Sequence, residues 1–552
     1  MNILKLVLDD GRTIEAQRGE TLWNIINKND LNSDNQAVFG SINGKILELS
    51  SSLKEEGLFK VIKLNNSITQ RAYVRTLQFI LIKAVKDVFP EAVVTLEHSL
   101  NKGLFGEIHK DKPLSPEDIY RIKERMNEII KADYPIKKEA VFKRKAIKIF
   151  AEYKMEDKLR LLNTIKPNRL KLYNLDGLYD YFYGTMAYST GIINVFDLVY
   201  YKPGFILLFP HAEDMNHIPE SKDDKKLAKI FYETEQWGNI LGVPDVGSLN
   251  EKTINKDIID IIRVQEALHE KKIANIADSI CERKEVKIVL IAGPSSSGKT
   301  TFSRRLGIQL RVNGLLPYTI SLDDYFLDRE FTPRDENGDY DFESIDALDI
   351  SLFNQNLQGI LKGEEVNIPA FNFKTGKREW EENKIKLPEN GILIIEGIHG
   401  LNERLTATIP YKNKFKIYIS ALTQLNLDNH NRIATTDVRM VRRIVRDSLS
   451  RGYKAESTIK MWPSIKKGEK KNIFIYQEEA DAMFNSTLIY ELCILKRYAL
   501  KELFKIDSMS PAYYEAKRLI SFLNFFMAVD KDLVPENSIL REFIGGSCFY
   551  KY

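Results

Sequence analysis

The sequence predicts an α/β protein with a parallel sheet in its C-terminal half, preceded by a small β-rich domain and an α+β region. Two observations support this prediction. From residue 287 onward, short apolar runs alternate with amphipathic stretches, as in buried parallel strands joined by helices. In the first 64 residues, alternating runs are separated by the hairpin turn signals Asp10-Gly11 and Asn43-Gly44.

Composition indicates a globular protein of several domains. The 552 residues are 43% hydrophobic and 29% charged, with a net charge of +4, and the length predicts about three to five folding units. Three widely spaced cysteines argue against a disulfide scaffold or a cysteine zinc site. The N-terminus does not have the pattern of a signal peptide, and no apolar run approaches the roughly 20 residues of a membrane span. We therefore expect a cytoplasmic protein without membrane contact.

Four segments are predicted along the chain. They are a β-grasp domain at 1–64, an α+β region at 65–245, a largely helical linker at 246–284 and the parallel-sheet domain with a C-terminal helix at 285–552. In the second segment, residues 72–88 have helical apolar spacing. Ser115 precedes Pro116 there as the N-cap of another helix.

A glycine-rich loop follows the first strand of the last segment. The apolar run at 287–292 leads into a match to GxxxxGK[ST], which we call the phosphate loop. Its glycines let backbone N–H groups surround a phosphate, and the helix that follows adds its positive end. Lys299 would reach the β- and γ-phosphates, and the Thr300 hydroxyl would ligate Mg²⁺. The residues expected to bind ATP are Gly293, Pro294, Ser295, Ser296, Ser297, Gly298, Lys299, Thr300 and Thr301.

Two acidic residues follow other predicted strands. Glu396 ends the apolar run that begins at Gly391, and beside the phosphate loop it would hold Mg²⁺ together with Thr300. Asp323 follows the strand at 318–322, and strand ends at this edge face the ligand crevice. A carboxylate there can accept the proton of an attacking hydroxyl. The alternative for Glu396 is an acid that only ends a strand.

An arginine-rich helix is predicted at 436–447. Arg439, Arg443 and Arg446 share one face, and guanidinium groups suit the oxygens of a transferring phosphate. The alternative is a solvated basic face or an RNA-binding surface. The lysine-rich stretch at 466–471 is expected to be a mobile loop.

Residues 287–480 resemble the uridine kinase/phosphoribulokinase family in the order of their motifs. The matching segments are 293–300, 323–326, 346–349, 368–378, 396–398 and 442–452. The resemblance implies ATP and Mg²⁺ as cofactors and Asp323 as the general base on a nucleoside 5′-hydroxyl. It implies that the transferred phosphate is stabilised by Lys299, Arg443, Arg446 and Arg451. It implies that the acceptor is bound by Asp323, Tyr325, Glu343, Phe371 and Arg378.

Some positions depart from that family. Uridine kinases carry a tyrosine and a histidine that read the pyrimidine base where this chain has Phe371 and Gly376, and Tyr453 replaces an arginine. The expected partner is a small nucleoside or a related hydroxyl acceptor. Another nucleoside or a sugar phosphate is the alternative acceptor. A second alternative is an RNA- or ribosome-associated regulator that binds ATP.

The N-terminal half resembles parts of tRNA synthetases. Asp10-Gly11-Arg12 and Gly19-Glu20-Thr21 resemble the TGS domain, and four further segments resemble the second N-terminal domain of threonyl- and alanyl-tRNA synthetases: 89–92, 103–105, 115–118 and 180–191. In that family an HxxxH pair, a cysteine and a histidine edit mischarged tRNA. The matching positions here are Arg71, Arg75, Phe182 and Met186, which are not zinc ligands.

We therefore expect no zinc and no editing chemistry in the N-terminal half. Another ligand or a structural role is left open for it, as is contact with RNA, which the basic residues at 137–148 would favour. The sequence also leaves open whether the chain forms a homo-oligomer.

Overall fold

The computed structural model describes residues 3–32, 34, 36–220, 224–335, 338–372, 374–423 and 425–550. No helix in these ranges has both the length and the apolar composition needed to cross a lipid bilayer.

The described residues up to 64 form one mixed sheet with a helix against it. The elements are β1 (Ile3–Leu8), β2 (Thr13–Gln17), α1 (Leu22–Lys28), β3 (Ala37–Ile42), β4 (Lys45–Glu48) and β5 (Gly57–Lys63). The strand order is β2-β1-β5-β3-β4, with β1 and β5 parallel. Both predicted hairpin turns are present, and Gly11, Asn43 and Gly44 have the positive φ angles that such turns require.

The middle region packs helices against two antiparallel sheets, ordered β11-β12-β7-β6 and β10-β9-β8. Ser115 accepts a hydrogen bond from the Asp118 N–H and donates its own N–H to the Asp118 carboxylate, which confirms the predicted cap. The elements are α2 (Ser67–Val88), β6 (Val93–Leu100), β7 (Gly103–His109), α3 (Pro116–Lys131), β8 (Ile136–Phe142), α4 (Lys143–Glu152), α5 (Glu156–Thr164), β9 (Arg169–Leu175), β10 (Leu178–Tyr181), β11 (Asp197–Tyr201), β12 (Gly204–Leu208) and α6 (Lys225–Ile240).

The C-terminal half is built on a five-stranded sheet in the order β14-β19-β13-β20-β23, in which every pairing is parallel. This confirms the predicted fold class. The elements are α7 (Val246–Ile254), α8 (Ile258–Glu282), β13 (Ile288–Ala292), α9 (Lys299–Val312), β14 (Leu316–Ser321), α10 (Ile350–Leu361), β15 (Val366–Asn367), β16 (Ala370–Asn372), β17 (Lys377–Glu379), β18 (Lys384–Ile385), β19 (Gly391–Glu396), α11 (Glu403–Thr406), β20 (Lys414–Ser420), β21 (Asn426–Asp428), β22 (Asn431–Arg432), α12 (Thr435–Arg446), α13 (Ala455–Asn472), β23 (Ala482–Asn485), α14 (Glu491–Leu503), α15 (Tyr513–Leu523) and α16 (Arg541–Ile544).

The lysine-rich stretch at 466–471 belongs to helix α13, so the predicted loop is wrong. Ile459, Trp462 and Ile465 are buried at helical spacing, and Glu469 continues that buried face among the lysines. The lysines therefore cover the outer side of a helix whose inner face is already fixed.

One apolar core extends across the predicted segment boundaries. It includes Phe150 of α4, Ile261 of α8 and Phe302 of α9, together with the C-terminal residue Phe522. The boundaries at residues 64, 245 and 284 stay predictions, because a shared core does not mark where one folding unit ends.

A hairpin of the C-terminal half, β21–β22, inserts into the middle region. Leu96 donates its N–H to the Asn429 carbonyl at 2.8 Å, and Asn429 donates its N–H to the Asp157 carboxylate at 2.8 Å. Asn431 donates its side-chain amide to the Tyr181 carbonyl at 2.8 Å. The strand β6 and the helix α5 are thereby joined to the hairpin that precedes α12.

A buried ion network lies at this junction. The Lys158 ammonium is 2.9 Å from Asp180 and 2.8 Å from Asp428, and His430 Nδ1 is 2.6 Å from Asp180. Burial lowers the pKa of Lys158, but the surrounding carboxylates outweigh that effect and raise it above its usual value. Burial likewise raises the pKa of Asp180, yet Lys158 and His430 hold it at about 2. Lys158 and Asp180 therefore both stay charged near neutral pH.

Replacing Lys158 by Met should destabilise the protein by about 3–5 kcal/mol, because two buried carboxylates lose their cation. Urea denaturation followed by circular dichroism measures this loss. Lys154→Met is the matched control, since Lys154 forms an exposed pair with Glu91 that should contribute about 0–1 kcal/mol. Equal stability of the two variants would show that the buried network does not join the halves.

Candidate functional site

The carboxyl ends of three parallel strands bring the predicted site residues to one edge of the sheet. Ile291, near the end of β13, pairs with Glu396 at the end of β19. Ser321 at the end of β14 pairs with Glu396 from the other side. The phosphate loop after β13 and Asp323 after β14 therefore flank Glu396, in the crevice where open α/β sheets bind ligands.

The backbone of the phosphate loop needs its glycines. Gly298 has a φ of 87°, which favours glycine, and Ser296 shares this left-handed region at 61°. A Cβ atom at Gly293 would lie 2.0 Å from the Ile419 carbonyl oxygen, so only glycine fits between the loop and β20.

Residues of the phosphate loop fit a phosphate chain. The hydroxyl oxygens of Ser296 and Ser297 are buried and have no hydrogen-bond partner among the described residues. They lie at the N-terminus of the 14-residue helix α9, where N–H groups and the helix dipole favour an anion. Lys299 donates to the backbone carbonyls of Gly293 and Pro294 at 3.0 and 3.4 Å. The loop therefore offers the donors that ATP phosphates require.

The two predicted Mg²⁺ ligands lie together. The Thr300 hydroxyl donates to the Glu396 carboxylate at 3.3 Å, and the Ser321 hydroxyl donates to the same oxygen at 3.4 Å. Among the described residues, no group of three or more histidine, cysteine or acidic side chains could hold a metal ion. Mg²⁺ needs only one or two protein oxygens because water and phosphate complete its shell, so Thr300 and Glu396 fit it.

Burial and nearby acidic groups raise the pKa values of two carboxyls in this crevice. Burial, with Asp323 nearby, raises the pKa of Glu396 to about 7. Burial, with Glu469 nearby, raises the pKa of Glu343 to about 7, although Arg443 and Lys299 act in the opposite direction. Carboxyl groups with such values gather at functional sites.

The predicted base, Asp323, is half-buried beside these groups. It is close enough to influence the pKa of both Glu343 and Glu396. Among the described residues, no side chain donates a hydrogen bond to its carboxylate, whereas the neighbouring Asp324 accepts one from the Phe371 N–H at 3.3 Å.

The Asp447 carboxylate lies close to all three arginines that are predicted to stabilise the transferred phosphate. This buried carboxylate lies 3.2 Å from Arg443, 3.7 Å from Arg446 and 3.8 Å from Arg451. Arg443 also donates to the Ser295 hydroxyl of the phosphate loop at 2.6 Å. The sequence prediction did not include Asp447 as a partner of these arginines. Its spacing could have indicated the pairing, since Asp447 is four residues from both Arg443 and Arg451.

Asp447 also begins a π-helical turn, Asp447–Arg451. Such turns often occur at functional sites, and this one brings Arg451 back toward α12. The nearby Arg446 guanidinium lowers the pKa of Arg451 to about 10, because like charges are crowded around the Asp447 carboxylate.

Arg439 does not contact Asp447. Of the three arginines predicted to share one helix face, only Arg443 and Arg446 are therefore positioned to interact with a phosphate. Arg439 is buried, pairs with Glu469 and donates to the Ser295 carbonyl. Arg442 is also buried and pairs with Glu491. These two arginines anchor α12 to its neighbours.

The predicted acceptor-binding residues divide into two groups. Glu343 lies at the crevice, where Lys299 and Arg443 influence its pKa. Phe371 packs its ring against Phe326, and Tyr325 is buried, with its hydroxyl accepting a hydrogen bond from Asn356 at 3.1 Å. Arg378 pairs with Asp349 at 3.0 Å and donates to the backbone carbonyls of 325 and 326. Tyr325 and Arg378 thus fix the segment that carries Asp323, and the structure does not bring Tyr325 to the open site.

A C-terminal segment reaches the phosphate loop, which the sequence prediction missed. Thr301 donates its buried hydroxyl to Glu542 at 3.0 Å and also bonds the Tyr550 hydroxyl. A Cβ atom at Gly298 would lie 2.5 Å from Ile539. Beside this segment is a cavity of about 160 Å³ lined by Arg446, Leu449, Ser450 and residues 542–545. The residues of this C-terminal segment match no sequence motif, and they lie far from the phosphate loop along the chain.

Residues 288–489 match the model of the phosphoribulokinase/uridine kinase family, which confirms the resemblance of the C-terminal half. The structure of a possible uridine kinase from Bacillus stearothermophilus is 16% identical, with a TM-score of 0.25, and the match covers 36% of this chain and 89% of that one.

The N-terminal region matches threonine–tRNA ligases. The enzyme of Caldanaerobacter subterraneus is 28% identical over 195 residues, which are 35% of this chain and 30% of the ligase. The enzyme of Syntrophotalea carbinolica is 28% identical over 200 residues, 36% of this chain and 31% of the ligase. This chain thus spans less than a third of the length of these ligases.

We expect Mn²⁺, used as a probe for Mg²⁺, to bind about tenfold more weakly at pH 6 than at pH 8. The pKa of Glu396 is about 7, so the carboxylate is charged above that pH and gains a proton that competes with the metal below it. Electron paramagnetic resonance of free Mn²⁺ at constant ionic strength measures the affinity. Glu396→Gln should bind weakly at both pH values, and an unchanged pH profile in that variant would exclude Glu396 as a ligand.

Proposed function

We propose, since residues 288–489 are a domain of the phosphoribulokinase/uridine kinase family, that this chain transfers a phosphoryl group from ATP to the 5′-hydroxyl of a nucleoside. The observation that carries the proposal is the convergence of Asp323, Glu396 and the phosphate loop at one sheet edge. Each supplies a different requirement of phosphoryl transfer, namely a base, a metal ligand and a phosphate cradle.

In this mechanism Asp323 accepts the proton of the acceptor hydroxyl. The carboxylate is half-buried and has no side-chain donor among the described residues, so it can receive that proton. Glu343, with a pKa of about 7, would hold the ribose hydroxyls beside it. ATP, when bound, supplies the phosphoryl group that is transferred.

Positive charge on the other side of the crevice stabilises the transferred group. Lys299 and Arg443 contribute most directly, because both lie at the phosphate loop. Arg446 and Arg451 extend this charge, and Asp447 fixes all three arginines before the acceptor arrives. Preorganised charge of this kind is worth more in a buried crevice than in water.

A sugar phosphate is the second candidate acceptor. Gly376 has a φ of 71°, and a Cβ atom there would lie 2.8 Å from the Arg329 guanidinium. A cation therefore lies against the position where a base-reading histidine is expected, while Phe371 offers no polar group. Neither Phe371 nor Gly376 offers a polar side-chain group to read a pyrimidine base, which favours a different acceptor.

The other alternative is an RNA- or ribosome-associated regulator that uses ATP as a switch, which the N-terminal match to tRNA ligases supports. An acceptor panel distinguishes the three proposals. Purified protein, ATP and Mg²⁺ are incubated with uridine, cytidine, adenosine, guanosine or ribose 5-phosphate, and ADP and phosphorylated product are measured.

Product from a nucleoside would support the first proposal, and product from ribose 5-phosphate alone would support the second. ATP hydrolysis without any phosphorylated acceptor, together with stoichiometric binding of tRNA or ribosomes, would contradict both.

Asp323→Asn should lower kcat by about 10²–10⁴-fold with the accepted substrate, because general base catalysis is lost. ATP affinity, measured by calorimetry, should change little. Asp324→Asn is the matched control, since it removes the neighbouring carboxylate that accepts from Phe371, and its effect on kcat should be much smaller. A parallel loss of ATP binding in Asp323→Asn would show that Asp323 is structural.

A further inference from the structure

A second cavity lies between the two halves of the chain, away from the phosphate loop. Its volume is about 250 Å³. Helix α2 forms one wall, the β21–β22 hairpin and the start of α12 form another, and α13 and α15 contribute Lys466 and Arg518. The cavity shares no lining residue with the phosphate loop and is therefore a separate site.

Cationic side chains outnumber acidic side chains in the lining. They are Arg71, Arg75, Arg432, Lys466 and Arg518, against the single carboxylate of Asp437. Glu515 neutralises part of this charge, because it pairs with Arg71 at 2.8 Å and with Arg518 at 2.7 Å. Five cations and two carboxylates leave an excess of three positive charges.

Arg75, Arg432 and Lys466 carry that excess. None of the three has a carboxylate within ion-pair distance among the described residues. Arg75 donates to the Thr185 carbonyl, and Arg432 donates to the Ser99 hydroxyl at 2.6 Å. Both side chains are half-buried, and each guanidinium retains further N–H donors for a ligand.

The surroundings make these charges costly without an anion. Burial lowers the pKa of Arg75 and of Arg432, because their charged forms lose contact with water. A bound anion would offset this cost.

Part of the lining is apolar. Val74, Leu104, Phe182 and Phe209 adjoin the cations, which suits a ligand with both an organic portion and an anionic group. Arg71, Arg75 and Phe182 are also positions at which this chain departs from the zinc-ligand pattern of the synthetase-like region. At two of these positions, Arg71 and Arg75, the cavity offers guanidinium groups, which bind phosphate oxygens in pairs.

We propose that this cavity between the halves binds a small organic phosphate monoester, with Arg75 and Arg432 holding the phosphate. The site is independent of the kinase reaction, and its existence does not depend on which acceptor the C-terminal half uses. RNA is a different class of ligand, and the volume of about 250 Å³ favours a small molecule.

Isothermal titration calorimetry of the full chain tests the proposal with phenyl phosphate, glycerol 3-phosphate and inorganic phosphate as probes. Phenyl phosphate should bind most tightly because its ring reaches the apolar lining. Arg75→Met should weaken its binding by about tenfold or more. Arg432→Met should do the same and serves if the first variant does not fold, as judged by thermal unfolding.

Two control variants locate the binding. Lys299→Ala disables the phosphate loop and should leave affinity for phenyl phosphate unchanged. Arg144→Met removes an exposed arginine outside the cavity and should also have no effect. Loss of binding in Lys299→Ala with retention in Arg75→Met would overturn the proposal, because the phosphate loop would then be the site.

If inorganic phosphate bound as tightly as phenyl phosphate, the apolar lining would not contribute to binding. That result would contradict the proposal that the ligand is an organic phosphate. Failure of all three probes would overturn the site, and tRNA binding that is lost in Arg75→Met without monoester binding would replace it with an RNA site.

Discussion

A lysine buried between two carboxylates joins the two halves of this protein. Lys158 comes from α5, Asp180 from β10 and Asp428 from the inserted hairpin, and all three side chains are almost fully removed from water. Taking such charges out of water costs several kcal/mol per ion, so the arrangement is tolerated only when each remaining hydrogen-bonding position is satisfied. The Asp428 carboxylate meets this condition, since it also accepts from the N–H groups of His430 and Asn431.

This constraint extends directly to the proposed kinase site. The hairpin ends at Arg432, and α12 begins three residues later at Thr435. Asp437, in the first turn of α12, is held by Arg518 of α15, and Arg442 is held by Glu491 of α14. These contacts hold α12 along its length, and the arginines at its C-terminal end therefore have fixed positions beside the phosphate loop. Preorganisation of this kind gives charged groups their catalytic effect.

Local sequence signals predicted the parts of the fold that local physics determines. The turns at Gly11 and Asn43, the cap at Ser115 and the phosphate loop each require particular residue types within a few positions of each other. Long-range partners carry no such signal. Glu542 contacts Thr301 from 241 residues away, and Lys158 contacts Asp428 across 270 residues.

The same distinction applies within the candidate site. The strand pattern was enough to predict that Asp323, Glu396 and the loop share one edge, because parallel strands end together. The sequence could not show that Tyr325 is directed into the core or that Arg439 is engaged by Glu469. Burial decides both, and burial depends on what the rest of the chain packs against each position.

The hairpin at 426–432 also limits how this architecture could be rebuilt. A kinase half taken alone would expose Asp428 and the backbone groups that pair with β6, and a foreign partner would have to supply a buried cation at the same position. An N-terminal half can therefore be exchanged only for one that places a cation where Lys158 lies, opposite Asp428, or both residues must be changed together. Only halves with matching buried charges at this junction would therefore fold together, even though the two halves resemble families that exist separately.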